Sequence, residues 1–445
     1  MSKQVTRLVR LRGVRQAVRG VVLGGLLGGL LGGTAGCHPE ASMAQYECRT
    51  DDDCGDGGQC HEGRCKGHGM SPVRAAATPT ASPESPEAAK GSESKWLGPT
   101  VAPRQQWAVD LGAVISATPT IVVEPEGRVV AYVGSHAGRF VGVVVEGPEA
   151  GRVVLDLMVD GIIWSTAVAD ERGWLYFGAD DDRLRAVDPK AGVVAWSRRL
   201  GGCEPTRAPG PVGVRCDVDG GPSLGPGGDL YAGADGLYRV AGDGTIRWHY
   251  PPEEEGPGAH VATTPLVTAE GVVFGNQGKE VVALDHEGRR RWSVTFKADV
   301  DGSPVLGRDG TIYVGVDEGA LHAIRPDGTI AWSAKVGAPI RARAAVGSDG
   351  VVVFGAYDGI LYAVEPDGGV RWRLPTGAEI HAPATIDPAG RIFVGSRDEQ
   401  LYALDLEGHV YWTLEMPAQL DGAVALSPGG TLVVGCDDGV LRGLR

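Results

Sequence analysis

Residues 301–332 read DGSPVLGRDGTIYVGVDEGALHAIRPDGTIAW, and their apolar positions fall into four short runs, 303–306, 311–316, 320–324 and 329–332. The runs are rich in β-branched and aromatic residues, which favours strands over helices. Between them stand Arg308-Asp309-Gly310, Asp317-Glu318-Gly319 and Pro326-Asp327-Gly328. Each triplet ends in glycine, which takes the positive φ that tight turns demand. The pattern predicts four antiparallel strands joined by three hairpins.

Copies of this unit recur to the C-terminus. Their closing tryptophans are Trp196, Trp248, Trp292, Trp332, Trp372 and Trp412, the last four spaced 40 residues apart. A four-stranded repeat of that period predicts an all-β propeller. Two further copies lack the tryptophan: residues 128–157 close on VVLDL, and residues 431–445 stop after a third strand. Residues 104–111, RQQWAVDL, supply a single strand bearing Trp107, with no partner strands before it. The count predicts eight four-stranded antiparallel blades over residues 104–445. The strand at 104–111 should pair with the one near 440–444 and leave no open seam. On this reading a chain beginning at Gly112 folds poorly, and removal of everything before Pro103 matters little.

The chain begins differently. Lys3, Arg7, Arg10, Arg12, Arg15 and Arg19 precede an apolar, glycine-rich run from Val21, the order of an export signal over residues 1–36. Thr34-Ala35-Gly36-Cys37 resembles a bacterial lipobox, with threonine where leucine is more usual. The resemblance implies a lipid on the Cys37 thiol, a short anchored stretch over 37–47, and, as residue 38 is not aspartate, the outer membrane. Residues 48–65 place Cys48, Cys54, Cys60 and Cys65 in a polar segment too small to bury a core, so disulfides are the expected order-giving element. All three pairings remain open. Cys60, His61, Cys65 and His68 are the zinc alternative, which an oxidising compartment disfavours. Asp51, Asp52, Asp53 and Asp56 lack the ligand spacing of a calcium loop. Residues 66–103 are rich in Pro, Ala, Ser and Glu and read as an extended linker.

Charge narrows the partners. The formal net charge is −14, and loss of the six leader cations makes the exported remainder more negative still. Nucleic acid and anionic membrane surfaces are therefore not expected partners. Cys203 and Cys216 flank a Pro/Gly-rich loop and are expected to bridge, whereas Cys436 occupies a position that is small in the other repeats.

Candidate chemistry sits where the blades converge. The first residues of the innermost strands align as Ser116, Trp164, Asp219, Ala262, Asp301, Arg341, His381 and Asp421, and should line one mouth of the central channel as a possible binding site. The three carboxylates come from non-adjacent blades, which does not suit a shared metal ion. Arg341 and His381 between Asp301 and Asp421 suggest a compensated charge belt. A general acid or base role for His381 is the catalytic alternative. The loops after Gly178, Gly315, Gly355, Gly395 and Gly435 carry residues 180–182, Asp317, Glu318, Asp358, Asp398, Glu399, Asp437 and Asp438, and are expected to form an acidic rim for basic or polar partners.

Residues 186–196, AVDPKAGVVAW, resemble the A-x-D-x-x-T-G-x-x-x-W signature of PQQ-type β-propellers, with Ala191 in place of threonine; ALDHEGRRRW and ALDLEGHVYW keep it one residue shorter. The resemblance covers residues 104–445 and implies that each tryptophan packs on a turn of the neighbouring blade. Quinoprotein dehydrogenases of this repeat class hold their quinone with a vicinal disulfide, a stacking tryptophan and calcium. No Cys-Cys dipeptide occurs here, so no cofactor is expected. The better resemblance is to the lipid-anchored propeller subunit of the bacterial β-barrel assembly machinery. It implies a non-catalytic envelope scaffold that faces the periplasm and binds envelope proteins, barrel-assembly components among them. A binding module for a saccharide or small ligand is the alternative.

Overall fold

The forty-residue units fold as their hydrophobic pattern dictates. In the computed structural model, which describes residues 59–61, 64–66, 96–201, 216–251 and 259–445, the repeat at 301–332 forms strands Val305–Leu306, Ile312–Val316, Ala320–Ile324 and Ile330–Lys335 in one antiparallel sheet. The innermost strand is shorter than the apolar run, because Asp301 and Ser303 line the central channel instead. The second and third strands are buried throughout, and the fourth alternates towards solvent. Seven further sheets repeat the order, giving an eight-bladed all-β propeller.

Blade eight is assembled from both ends of the propeller. Ala425–Leu426, Leu432–Gly435 and Val440–Leu444 supply three strands, and Gln105–Asp110 supplies the fourth. Ala108 pairs with Arg442 and Asp110 with Val440. The reciprocal bonds Arg104 N–H to Arg445 O and Arg445 N–H to Arg104 O extend the ladder to the last residue. The seam expected from strand arithmetic is the seam observed, and the third strand of blade eight is left with no free edge.

The signature has a physical reading at each position. Its alanine lies opposite the tryptophan across the third and fourth strands, as in Ala283–Trp292, Ala323–Trp332 and Ala363–Trp372, so a small residue makes room for the ring. Its aspartate ties the turn: the Asp285 carboxylate accepts the N–H groups of Glu287 and Arg289. Its glycine lies under the tryptophan of the preceding blade. Gly368 has φ of 94°, and a Cβ there would stand 2.8 Å from the Trp332 ring. Seven indole N–H groups, from Trp107, Trp196, Trp248, Trp292, Trp332, Trp372 and Trp412, donate to a carbonyl beyond their own blade at 2.7–3.1 Å. Each ring thus buries its faces and satisfies its one donor in the same dock.

One boundary differs from expectation. Trp412 should dock on the turn between the third and fourth strands of blade eight, but those strands come from opposite ends of the propeller and share no turn. Residues 96–103 take its place. Pro99 O accepts the Trp412 indole, Trp96 N–H donates to Pro428 O, and Gly98 N–H donates to the Asp387 carboxylate. Trp96 also packs on the cluster around Phe393, Trp412 and Leu432. The linker expected to run to Pro103 therefore gives way to packed chain by Trp96, because a split blade must still offer its neighbour a docking surface.

The chain divides into two compact units, Met1–Ala88 and Ala89–Arg445. In the first unit, Gln59–His61 and Arg64–Lys66 form a hairpin with Cys60 opposite Cys65. The expected signal and anchored stretch, the start of the cysteine module with Cys48 and Cys54, and residues 67–95 of the expected linker lie outside the described residues, as do Cys37 and Cys203. Cys216 is disulfide-bonded. Among the described residues no helix is long and apolar enough to cross a membrane.

Two measurements test the docking account. Gly368→Ala should cost ~1–3 kcal/mol in chemical denaturation, from the strained φ and the forced retreat of Trp332; a loss within error would show that the ring does not depend on that glycine. A chain beginning at Lys95 should melt above one beginning at Arg104, which leaves the Trp412 donor unpaired at a cost of about 1–3 kcal/mol. One beginning at Gly112, which lacks the closing strand, should melt lowest; equal melting of the first two would return the boundary to Pro103.

Candidate functional site

Successive side chains of an extended strand point to opposite sides. At the start of each innermost strand this alternation puts one set of residues towards the channel and buries the other, as Ala342 and Ala344 are buried between Arg341, Arg343 and Ala345. The result is a cavity of about 880 Å³ on the propeller axis, lined from all eight blades and including Ala262, Asp301, Arg341 and His381.

The aligned mouth residues do not stand alone. Six blades add the residue two positions beyond the glycine of the second strand, and that side chain reaches the mouth residue of the next blade. His136 stacks at 4.0 Å on Trp164. Gln277 donates to Asp301 at 3.4 Å. Asp317 takes a forked pair from Arg341, with Nε at 3.0 Å. Tyr357 lies parallel to His381 at 4.0 Å, and Arg397 binds Asp421 through two bonds of 2.9 and 2.8 Å. In four of these pairs, Gln277–Asp301, Asp317–Arg341, Tyr357–His381 and Arg397–Asp421, the partners are 24 residues apart.

That constant offset is the signal by which the partners are legible in the sequence, and alignment of mouth positions alone overlooks it. Backbone bonds hold the second set in place: His136, Asp180, Gln277, Asp317, Tyr357, Arg397 and Asp437 each donate their N–H to the carbonyl two residues before the mouth position of their own blade.

The remaining contacts close most of the circle. Ser116 Oγ lies 2.7 Å from His136 Nε2. Trp164, among the more exposed large side chains, donates its indole N–H to Asp180 at 3.3 Å. Asp180 shares a hydrogen bond with Asp219 of blade three, and Asp219 in turn meets His260 Nε2 at 3.3 Å. Arg341 spans Asp317 and Asp301 and lies 5.6 Å over the Tyr357 ring. His381 meets Glu379 at 2.8 Å. The sequence places Arg341 and His381 in a compensated belt; the structure shows the belt extends to the loop residues as well.

Electrostatics follow from enclosure. Burial, then the shared bond and charge of Asp219, pushes the Asp180 carboxyl up to about 7. Burial and the neighbouring charge of Asp421 push Asp437 to about 6. Burial also holds the His136 and His381 imidazoles below their ordinary values, so both are neutral at neutral pH. The Cys436 thiol, raised to about 12 by burial, is unreactive.

The expected acidic rim is partly ion-paired. Asp317 is held by Arg341, and Asp181, Asp182 and Asp438 are held by Arg185, Arg199 and Arg442. Asp358 and Asp398 each accept a tyrosine hydroxyl at 2.6 Å, from Tyr362 and Tyr402. Glu318 accepts the Lys297 N–H. Four of these carboxylates are ion-paired, whereas the neutral donors at Asp358, Asp398 and Glu318 orient their carboxylates without cancelling the charge. Among the described residues no group of three or more His, Cys, Asp or Glu side chains is placed to hold a metal ion.

Comparison with known proteins agrees with this architecture. The family model described as "Outer membrane protein assembly factor BamB" matches residues 102–324, 279–373 and 317–445, together the whole propeller. The crystal structure of BamB from Moraxella catarrhalis superposes with a TM-score of 0.59 at 16% identity, covering 77% of this chain and 99% of that one. The computationally designed Ika8 protein superposes at 0.60 with 12% identity, covering 76% and 99%. At these identities both show the fold alone. The serine/threonine-protein kinase AfsK of Streptomyces griseus is 32% identical over 143 residues, 30% of this chain, and the chain spans 16% of that kinase.

The Asp180–Asp219 contact has a pH signature. Because the folded-state value of Asp180 lies above the ordinary 3.8, the native chain keeps a proton that the unfolded chain releases. Its contribution is full below that value and is lost as pH rises to about 7. Asp180→Asn, which keeps the Trp164 acceptor without the charge, should raise the melting temperature at pH 8 and make no difference near pH 4. A gain of equal size at both pH values would remove the shared proton from the account.

Proposed function

We propose, from the premise that the chain belongs to the family described as outer membrane protein assembly factor BamB, that it is an envelope scaffold whose propeller presents protein-binding surface in the assembly of outer-membrane proteins. The observation that carries this reading is the family match across all eight blades rather than over a few repeats. The channel mouth supports it from the chemistry. Its charged residues are committed to one another across blade boundaries, as in Arg341 between Asp301 and Asp317 and Arg397 with Asp421. Such side chains stiffen a platform and leave little reactivity for turnover, so the scaffold is read as non-catalytic. Nothing of the kinase's activity is carried over, since the similarity covers a small part of that protein.

Anchoring completes the proposal. The basic and apolar leader, followed by Thr34-Ala35-Gly36-Cys37, supports lipidation of Cys37 and a periplasm-facing position at the outer membrane. Residues 38–95 then act as tether, with disulfides among Cys48, Cys54, Cys60 and Cys65 ordering its first part and a Cys203–Cys216 bridge closing the loop between blades two and three.

Crosslinking in intact envelopes, followed by mass spectrometry of what is held by the propeller, tests the scaffold reading: barrel-assembly components and nascent outer-membrane proteins are the expected partners. Recovery of none of them would count against it. Cys37→Ala should release the chain from membranes as a soluble or uncleaved form, and unchanged membrane partition would sink the lipid anchor while leaving the scaffold in place.

A further inference from the structure

Two residues beyond each mouth position, the innermost strands contribute a second ring to the channel: Thr118, Thr166, Gly221, Thr264, Ser303, Arg343, Pro383 and Ala423. Seven of the eight are small, hydroxylated or proline. Arg343 alone carries charge, and it lines the axial cavity together with Thr118, Thr166 and Ser303. Other cations of the mouth have carboxylate partners, Arg341 at Asp317 and Arg397 at Asp421. Among the described residues Arg343 has no ion pair and no hydrogen-bond acceptor. Its side chain is exposed to the channel, and the surrounding blades lower its guanidinium pKa by partial desolvation. A channel-facing guanidinium that no carboxylate of the described residues holds is free to fork an anion.

The hydroxyls lining the same cavity point to the same kind of ligand. Thr118 Oγ1 accepts the Ala423 N–H, Thr166 Oγ1 accepts the Thr118 N–H, and Ser303 Oγ accepts the Thr264 N–H, at 3.2, 3.3 and 2.9 Å. Each oxygen is thereby used as an acceptor. Among the described residues none of the three protons has an acceptor of its own, whereas Thr120, Ser223 and Thr385, further along the same strands, each donate to a carbonyl at 2.6 Å. The second ring therefore offers donors to the cavity: three hydroxyl protons and a guanidinium fork.

We propose that the axial channel is an oxyanion-binding site in which Arg343 forks the anionic group and Thr118, Thr166 and Ser303 supply hydroxyl donors. The ligand class is a small molecule bearing a carboxylate or phosphate group. A cavity of about 880 Å³ lies within the range of small-molecule pockets, roughly 300–1,000 Å³. In the mouth above, Arg341 is shared between Asp301 and Asp317 and Arg397 holds Asp421, which leaves Arg343, among the described residues, as the channel cation not committed to a carboxylate. This site is independent of the scaffold role, and either can fail without the other.

Titration calorimetry on the full exported chain in a chloride background, with inorganic phosphate in one series and succinate in another, tests the site. Saturable binding of at least one anion is expected, weakened about tenfold or more by Arg343→Gln and less by Arg343→Lys, which keeps charge but loses the fork. Preference for phosphate identifies a phosphoryl ligand, and preference for succinate a carboxylate one. Should Arg343→Gln fail to fold, phenylglyoxal labelling of the unaltered chain reads the same contact: the anion that binds should protect Arg343 from modification. Absence of saturable binding by both anions, equal affinity in folded Arg343→Gln, or labelling of Arg343 unchanged by bound anion would overturn the proposal.

Discussion

The structure rests on one repeated contact, a tryptophan ring from the outer strand of one blade laid over a glycine turn of the next. It links sequence to architecture because it has strict local requirements and a non-local effect. The glycine must take a positive φ and offer no side chain, as at Gly368 under Trp332, and the indole must find an acceptor in the neighbouring turn, as at Pro366. Each dock joins two blades that otherwise meet through apolar clusters such as that around Leu321, Ile340 and Phe354. Repeated seven times around the closed ring, the contact makes most blades both host and guest; blade one, which has no closing tryptophan, only receives a ring, that of Trp107. That is why the split blade cannot simply lack its turn: the peptide at Pro99 is recruited to receive Trp412.

The same neighbour-to-neighbour logic governs polar residues at the channel mouth. A blade's innermost strand carries one functional side chain and its second strand turns beside it, so the loop residue of one blade comes to lie against the mouth residue of the next. Where the pair is Asp317 and Arg341, charge is cancelled. Where it is Asp180 and Asp219, like groups share a proton and the carboxyl is held near neutrality. Where it is Tyr357 and His381, the rings stack. The chemistry varies from blade to blade while the geometry does not, which lets one rigid frame carry different surfaces. A frame of this kind suits a family of assembly factors, whose task is to hold other chains in position.

Much of this was legible in the amino-acid order. The period of the tryptophans, the glycine-ended turns and the surplus strand around Trp107 determined the blade number, the strand order and the seam, because turn chemistry and strand alternation are local properties that the chain carries with it. The aligned mouth residues follow the same local spacing, each standing four positions before its innermost strand. What only the tertiary structure decided was who meets whom across a blade boundary. The pairing of Arg397 with Asp421, the ion pairs within the acidic loops, the early docking of Trp96–Pro99 and the isolation of Arg343 in the channel all depend on distances between segments that the closed ring brings together. Composition counts charges, but whether a charge is spent on a neighbour is settled by packing, where an ångström separates a forked ion pair from an open guanidinium.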